Sequence, residues 1–165
     1  MELTAVEGDI TQQRVDAVVN AANRGMRGGG GVDGAIHAAG GPAVLEDCKL
    51  RFPNGLETGQ AGWTTAGTMP ALWVIHVVGP NYGAGERDQT LLVSCYSNAL
   101  KVADELGATS IAFPLVSAGI YAWPREDAIA VAVGTLRSTE TSLAEARLVA
   151  FGRPAFEEIV AALDR

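Results

Sequence analysis

Asn20-Ala21-Ala22-Asn23, then Gly28-Gly29-Gly30-Gly31-Val32-Asp33-Gly34-Ala35-Ile36-His37, is the stretch on which the reading of this chain turns. It follows the apolar, β-branched run Ala17–Asn20 and leads into a helical pattern, so it reads as a strand–loop–helix unit. Four consecutive glycines leave no side chain between backbone and ligand. Their N–H groups can close on a phosphate, helped by the positive end of the following helix. Two amides, Asn20 and Asn23, precede that cradle, and the acid Asp33 lies at its far end. Amide, phosphate loop and carboxylate in one short segment imply a nucleotide site with chemistry attached.

Outward from this unit, apolar runs and helical patterns alternate. Strands are expected at Leu3–Val6, Ala17–Asn20, Gly62–Ala66, Trp73–Val78, Ile111–Leu115 and Arg147–Phe151. Helices are expected over Gly34–Cys48 with a break at Gly40-Gly41-Pro42, over Asp88–Leu106, from Pro124 to Leu136, and over Pro154–Leu163. Asp88 suits an N-cap, and Leu91, Leu92, Cys95, Tyr96, Ala99, Leu100 and Ala103 share one helix face. Several strands are apolar throughout rather than alternating, as in a parallel sheet covered on both faces. The fold class is therefore α/β, a three-layer α/β/α sandwich with a central, mostly parallel sheet. Ligands of such sheets bind beyond the carboxyl ends of the strands. The glycine run, the Ser117–Tyr121 loop and the Phe151-Gly152 turn all follow strands and are expected on one edge.

Composition narrows the classes. With 165 residues, 48% hydrophobic and 19% charged, residues 1–165 suit one globular domain. No apolar run reaches the roughly 18 residues of a membrane span. Met1-Glu2-Leu3-Thr4 has no basic region and no signal-peptide core, so a cytoplasmic protein is expected. Cys48 and Cys95 lack metal spacing and read as two reduced thiols. A net charge of −7 without a basic stripe argues against non-specific nucleic-acid or membrane binding. A monomer is expected, with no metal and no organic cofactor.

The glycine run fits neither common nucleotide motif. A P-loop needs Gly-Lys-Ser/Thr where Val32-Asp33-Gly34 stands. A dinucleotide fingerprint can be forced onto Gly29, Gly31 and Gly34, but the acid expected about 20 residues on is not at a strand end. A second glycine loop, Ser117-Ala118-Gly119-Ile120-Tyr121, follows the Ile111–Leu115 strand. Alone it is an ordinary βα turn. With the first loop it makes the second half of a diphosphate clamp.

The pair, together with Gly8-Asp9-Ile10-Thr11 and Asp16–Asn23, resembles the macro domain family, and most closely its MacroD-type branch of ADP-ribosyl hydrolases. The resemblance runs through the chain in the right order. In the second loop it departs from the branch pattern at Ala118, Ala122 and Trp123. It implies a mixed central sheet and a role for each motif. Asp9 would accept from the adenine amino group and Ile10 would offer its N–H to the same base. Phe151 would stack on adenine, against the competing reading of a core Phe. Gly30, Gly31 and Val32 would face one phosphate. Ser117, Ala118, Gly119, Ile120 and Tyr121 would form the loop around the other. Asn20 would belong to the binding residues, and Asn23 would reach the distal ribose. Asp33 would act at the anomeric carbon, orienting or deprotonating water. His37, four residues on and on the same helix face, would orient the site, or would be structural. His76, inside a strand, reads as core.

Chemistry narrows the substrate. Most glycosidases need a second carboxyl group as acid, because an alkoxide leaves poorly. Only one carboxylate, Asp33, is well placed here. A leaving carboxylate, whose parent acid has a pKa of about 4, needs no proton donor. With this, the activity that the resemblance implies is removal of mono-ADP-ribose from Glu or Asp side chains of modified proteins, with deacetylation of O-acetyl-ADP-ribose as a further reaction. The alternative is a module that binds ADP-ribose without hydrolysis. A dinucleotide oxidoreductase domain is a third reading, and the chain is short for one.

Overall fold

The computed structural model describes residues 1–165. Six strands form one sheet: β1 (Glu2–Glu7), β2 (Ala17–Ala22), β3 (Ala61–Thr65), β4 (Trp73–Val78), β5 (Ser110–Phe113) and β6 (Glu145–Ala150). The order across it is β1-β6-β5-β2-β4-β3. All neighbours are parallel except β3, which runs antiparallel to β4 at the edge. The helices are α1 (Gly31–Gly40), α2 (Pro42–Arg51), α3 (Gln89–Leu106), α4 (Arg125–Ser138) and α5 (Arg153–Leu163). This is the expected α/β/α sandwich with a mixed, mostly parallel sheet.

Strand alternation assigns the two faces. Val19, Ile75, Val77, Ile111, Phe113 and Leu148 meet apolar residues of α3, α4 and α5, including Leu92, Tyr96, Leu136 and Ile159. The other face sends Val18, Val74, Ala112 and Val149 toward Ile36 of α1. At its end, Ala22 and Val78 meet Val44 and Cys48 of α2. On this second face two polar residues, Asn20 of β2 and His76 of β4, stand directly opposite each other and fully buried.

Element ends carry most of the differences from expectation. Helix α1 starts at Gly31, not Gly34, because Gly30 in extended conformation is its N-cap. Asp33 thus lies inside the first turn rather than capping it. The break comes as expected at Gly41, whose φ of +78° separates two helices and lets Pro42 open the second. Strand β2 continues to Ala22, held by pairing with β4 as far as Val78. Strand β5 stops at Phe113, where Pro114 has no N–H to give. Strand β6 stops at Ala150, leaving Phe151 outside it. Helix α3 has the expected cap: Asp88 accepts from Thr90 N at 3.0 Å, and Gly107 closes the far end with φ +75°. No helix is long and apolar enough to cross a membrane.

Candidate active site

Parallel pairing brings the C-terminal ends of β1, β6, β5 and β2 to one edge of the sheet, in that spatial order. Asp9 and Ile10 follow β1, and Phe151 follows β6. Glu7 pairs with Ala150, and Gly8 N donates to Ala150 O at 3.1 Å, so these residues share a corner. Phe151 is 97% exposed, which removes the core reading and leaves an aromatic face open to solvent. Asp9 Oδ1 accepts from Thr11 N (2.9 Å) and Thr11 Oγ1 (2.7 Å), fixing the turn at Ile10–Gln12. No protein donor is bonded to its other oxygen, Oδ2.

Beside this corner the two glycine loops face each other across a cleft of about 230 Å³. One wall is Gly29, Gly30, Gly31, Val32 and Asp33, and the other is Leu115, Ser117, Gly119, Ile120 and Tyr121. The start of a helix leaves its first N–H groups without intrahelical partners, here those of Gly31, Val32 and Asp33. In the second loop no backbone carbonyl accepts from Ser117, Gly119, Ile120 or Tyr121 N–H. Both walls therefore present spare donors. Ala118 differs: its N–H donates to Leu115 O at 3.3 Å and its methyl group packs on the core, so it does not line the cleft. Ile120, 73% exposed, reaches across the opening: a Cβ on Gly30 or Gly31 would lie 3.2 or 3.3 Å from its Cδ1.

The second loop is held in an unusual form. Ser117 has φ +65°, a left-handed conformation costly for a residue with a side chain. Its hydroxyl is buried without a protein partner. Below it, a Cβ on Gly79 would lie 2.3 Å from Ser117 Oγ, so only glycine fits there. Tyr96 of α3 fixes the loop from within the core: its hydroxyl accepts from Val116 N at 3.0 Å and donates to Pro114 O at 3.4 Å.

Asp33 lies at the inner end of the cleft, almost fully buried. Its two oxygens have different surroundings. Oδ1 accepts from Asn20 Nδ2 at 2.8 Å, and His37 Nε2 stands 3.4 Å from it. Oδ2 faces the space at Gly29, where a Cβ would come within 3.0 Å of it and 3.3 Å of Asn23 Nδ2. Because residue 29 has no side chain, this oxygen is open toward the cleft. Asn23 lines the cleft but also ties its own loop, donating to Gly28 O (3.1 Å) and accepting from Met26 N (3.2 Å). Asn20, expected among the ligand-binding residues, is instead sealed beneath Asp33 and touches no part of the cleft surface. Position 20 points into the sheet–helix interface by strand alternation, and position 21 points the other way.

Three features escaped the sequence reading. His76 touches Asn20, with Nδ1 3.1 Å from Asn20 Nδ2. Burial, reinforced by the nearby His37, lowers its pKa to about 3, so the ring is neutral. Gly79, just past the end of the expected Trp73–Val78 strand, is the second, since its role depends on Ser117 far along the chain. A second hollow, of about 510 Å³, adjoins the cleft through Asn23, Gly79 and Tyr121 and is edged by Thr58 and the Arg24–Glu86 ion pair. Partial burial raises the Tyr121 pKa, with Glu86 and Asp33 adding to it, so its phenol between the two hollows keeps its proton. The sequence signal for His76 was weak, since the partner that gives it meaning lies 56 residues away. No group of three or more His, Cys, Asp or Glu side chains is gathered as a metal site. Both cysteines are buried and unpaired, and burial pushes Cys48 up to about 11 and Cys95 up to about 12.

Known proteins share this fold. Residues 19–132 match the family model described as the Macro domain. A macro domain-containing protein of Streptomyces coelicolor is 53% identical over 165 residues, covering 98% of each chain. A macro domain-containing protein of Listeria monocytogenes is 46% identical, covering 92% of this chain and 90% of that one. Among solved structures, a mutant Oceanobacillus iheyensis macrodomain with ADPR superposes with a TM-score of 0.90 at 33% identity, covering 98% of this chain and 91% of that one. The Trypanosoma brucei macrodomain in complex with ADP-ribose gives 0.89 at 35% identity, covering 98% and 69%. With the family model over most of its length and relatives at this identity, the chain belongs to the macro domain family.

Proposed function

We propose that this protein is a hydrolase of the MacroD-type branch, releasing mono-ADP-ribose from Glu or Asp side chains of modified proteins, with O-acetyl-ADP-ribose as a second substrate. The neighbours with bound ADP-ribose and ADP support the ligand class. The order of features along the sheet edge supports its direction. Adenine lies at the Asp9–Ile10–Phe151 corner, the diphosphate between the two loops, and the distal ribose at Asn23 and Asp33. Spare backbone donors suit a pyrophosphate in an acidic protein, because they need no lysine.

The observation that carries the hydrolytic reading is the asymmetry of Asp33. Oδ1 is tied inside by Asn20, and Oδ2 is open beside Gly29 and Asn23. A carboxylate so held can orient or deprotonate a water at the anomeric carbon and stabilise positive charge developing there. The adjoining hollow gives the acyl side chain an exit. Its own carboxylate, Glu86, is occupied: it pairs with Arg24 and accepts from Asn81 N at 3.0 Å. With Glu86 so engaged, an ester whose leaving group is already a stable carboxylate fits better than an alcohol or guanidine. The buried thiols suit a reducing compartment such as the cytoplasm.

The test is incubation with protein carrying Glu-linked mono-ADP-ribose. Release of free ADP-ribose by the wild type, and its loss in Asp33→Ala, supports the enzyme. Tight binding without release identifies a reader instead.

A further inference from the structure

Across the face beneath α1, four polar groups form one buried chain. Thr64 Oγ1 donates to Thr65 O at 3.0 Å. His76 Nε2 lies 2.8 Å from the same Oγ1. His76 Nδ1 lies 3.1 Å from Asn20 Nδ2, and Asn20 Nδ2 donates to Asp33 Oδ1 at 2.8 Å. Thr64, His76 and Asn20 come from three adjacent strands, and His76 is only 1% exposed.

The donor sense of every link follows from its ends. A carboxylate only accepts, so the Asn20 atom facing Asp33 is the NH₂ nitrogen. Its second hydrogen then faces His76 Nδ1, which must be the unprotonated nitrogen. The ring proton therefore sits on Nε2 and points at Thr64, whose own hydrogen is committed to Thr65 O. A neutral ring alone satisfies this pattern. Of the groups packed around it, His37 of α1 and burial among Cys48 of α2 and Phe52, whose ring centroid is 6.5 Å away, oppose a charged ring; Asp47 of α2 favours one and is outweighed, and Asp33 is reached only through the Asn20 amide. The Asn20 carbonyl oxygen has no partner at all, so nothing bonded to that atom holds the amide from the other side.

We propose that His76 is a positioning residue for the Asp33 chemistry, locking the Asn20 amide so that Asp33 presents Oδ2, and not Oδ1, to the cleft. The inference rests on the hydrolase reading above. Without His76, nothing ties the Asn20 amide on the side away from Asp33. The amide is then free to rotate, and with it the carboxylate, whose correct angle toward the ribose is what rate depends on. Ligand affinity, carried by the adenine corner and the two loops, is untouched.

Two measurements on the full chain test this. Nitrogen NMR of the imidazole of the wild-type protein should show the neutral Nε2–H tautomer between pH 5.5 and 8, with or without ADP-ribose. An Nδ1–H tautomer or an imidazolium overturns the proposal. In kinetics, His76→Leu should lower kcat by roughly tenfold to a hundredfold, the scale of a lost outer-shell partner, with KM and ADP-ribose affinity within about threefold. His76→Asn, whose Oδ1 can accept where Nδ1 does, should recover most of the loss. A folded His76→Leu with wild-type kcat, or equal losses in the Leu and Asn variants, overturns it. If wild type releases no ADP-ribose, the hydrolase reading fails separately. NMR order of the Asn20 side-chain amide then decides: a mobile amide in His76→Leu but not in His76→Asn supports the lock, and an amide equally fixed in both refutes it.

Discussion

At the scale of single residues, the proposed hydrolase reading gives two aspartates on the same sheet edge separable tasks. Asp33 is buried with one oxygen tied, and Asp9 is exposed with one oxygen spent on its turn. Asp33→Ala is expected to cut hydrolysis by roughly a hundredfold or more, the scale of a lost general base. Its ADP-ribose affinity should change far less. At Asp9 the asparagine variant is the cleaner change, because an amide oxygen can keep the bond to Thr11 N while the second acceptor becomes a donor. Asp9→Asn should weaken ADP-ribose binding by roughly 1–3 kcal/mol, the cost of a lost buried hydrogen bond, with kcat nearly kept. Calorimetry and ADP-ribose release, run on both variants, read the two effects. Equal effects on affinity and turnover in both variants would mean that the edge is not divided in this way.

Among the elements, α3 has the least obvious influence on the site. It touches no ligand position, yet its Tyr96 hydroxyl holds the start of the second glycine loop through Val116 N and Pro114 O. Ser117 follows at once in its left-handed conformation. Tyr96→Phe leaves the Val116 N–H buried and unpaired. It should cost about 1–3 kcal/mol of stability and loosen the loop, so ADP-ribose affinity falls as well. Urea unfolding with calorimetry checks both. A stability loss with unchanged affinity would show that the loop holds itself. The sequence placed Tyr96 on the apolar face of this helix, which is correct, but no periodicity reveals what a buried hydroxyl meets.

Taken as a whole molecule, the protein carries a neutral histidine in its sheet, and this has a consequence for acid stability. His76 has a folded pKa of about 3 against an ordinary 6.5. Between those values the unfolded chain takes up a proton that the folded chain refuses. Nothing is lost above pH 6.5, and stability falls by ~1.4 kcal/mol per pH unit below it. The drop in unfolding free energy from pH 7 to 5.5 should therefore be smaller in His76→Asn than in wild type. An identical drop would mean that the ring is protonated in the folded state. A second expectation concerns metal. The site gathers no ligand cluster, so ADP-ribose release should persist in EDTA. Loss restored by zinc or magnesium would reveal an ion that the chemistry requires.

The glycine run, its flanking amides and Asp33 were legible in the sequence because they are local. A cradle for phosphate needs consecutive residues without side chains at a helix start, and that is written in one stretch. The parallel α/β sandwich was legible for a similar reason, since apolar strands alternating with helices leave few other ways to bury both faces. Convergence of the loops on one edge followed from that topology. Other features came only with the tertiary structure. Asn20 and Asn23 are three residues apart and look alike, but strand pairing with β4 sends one beneath Asp33 and leaves the other at the cleft. His76 acquires a role only because β2 and β4 lie side by side in register. Gly79 must be glycine only because Ser117 comes down on it. Sequence determines which groups can do chemistry. Long-range packing decides which atom of each group faces the ligand, because hydrogen-bond direction is set by partners that the chain order does not place nearby.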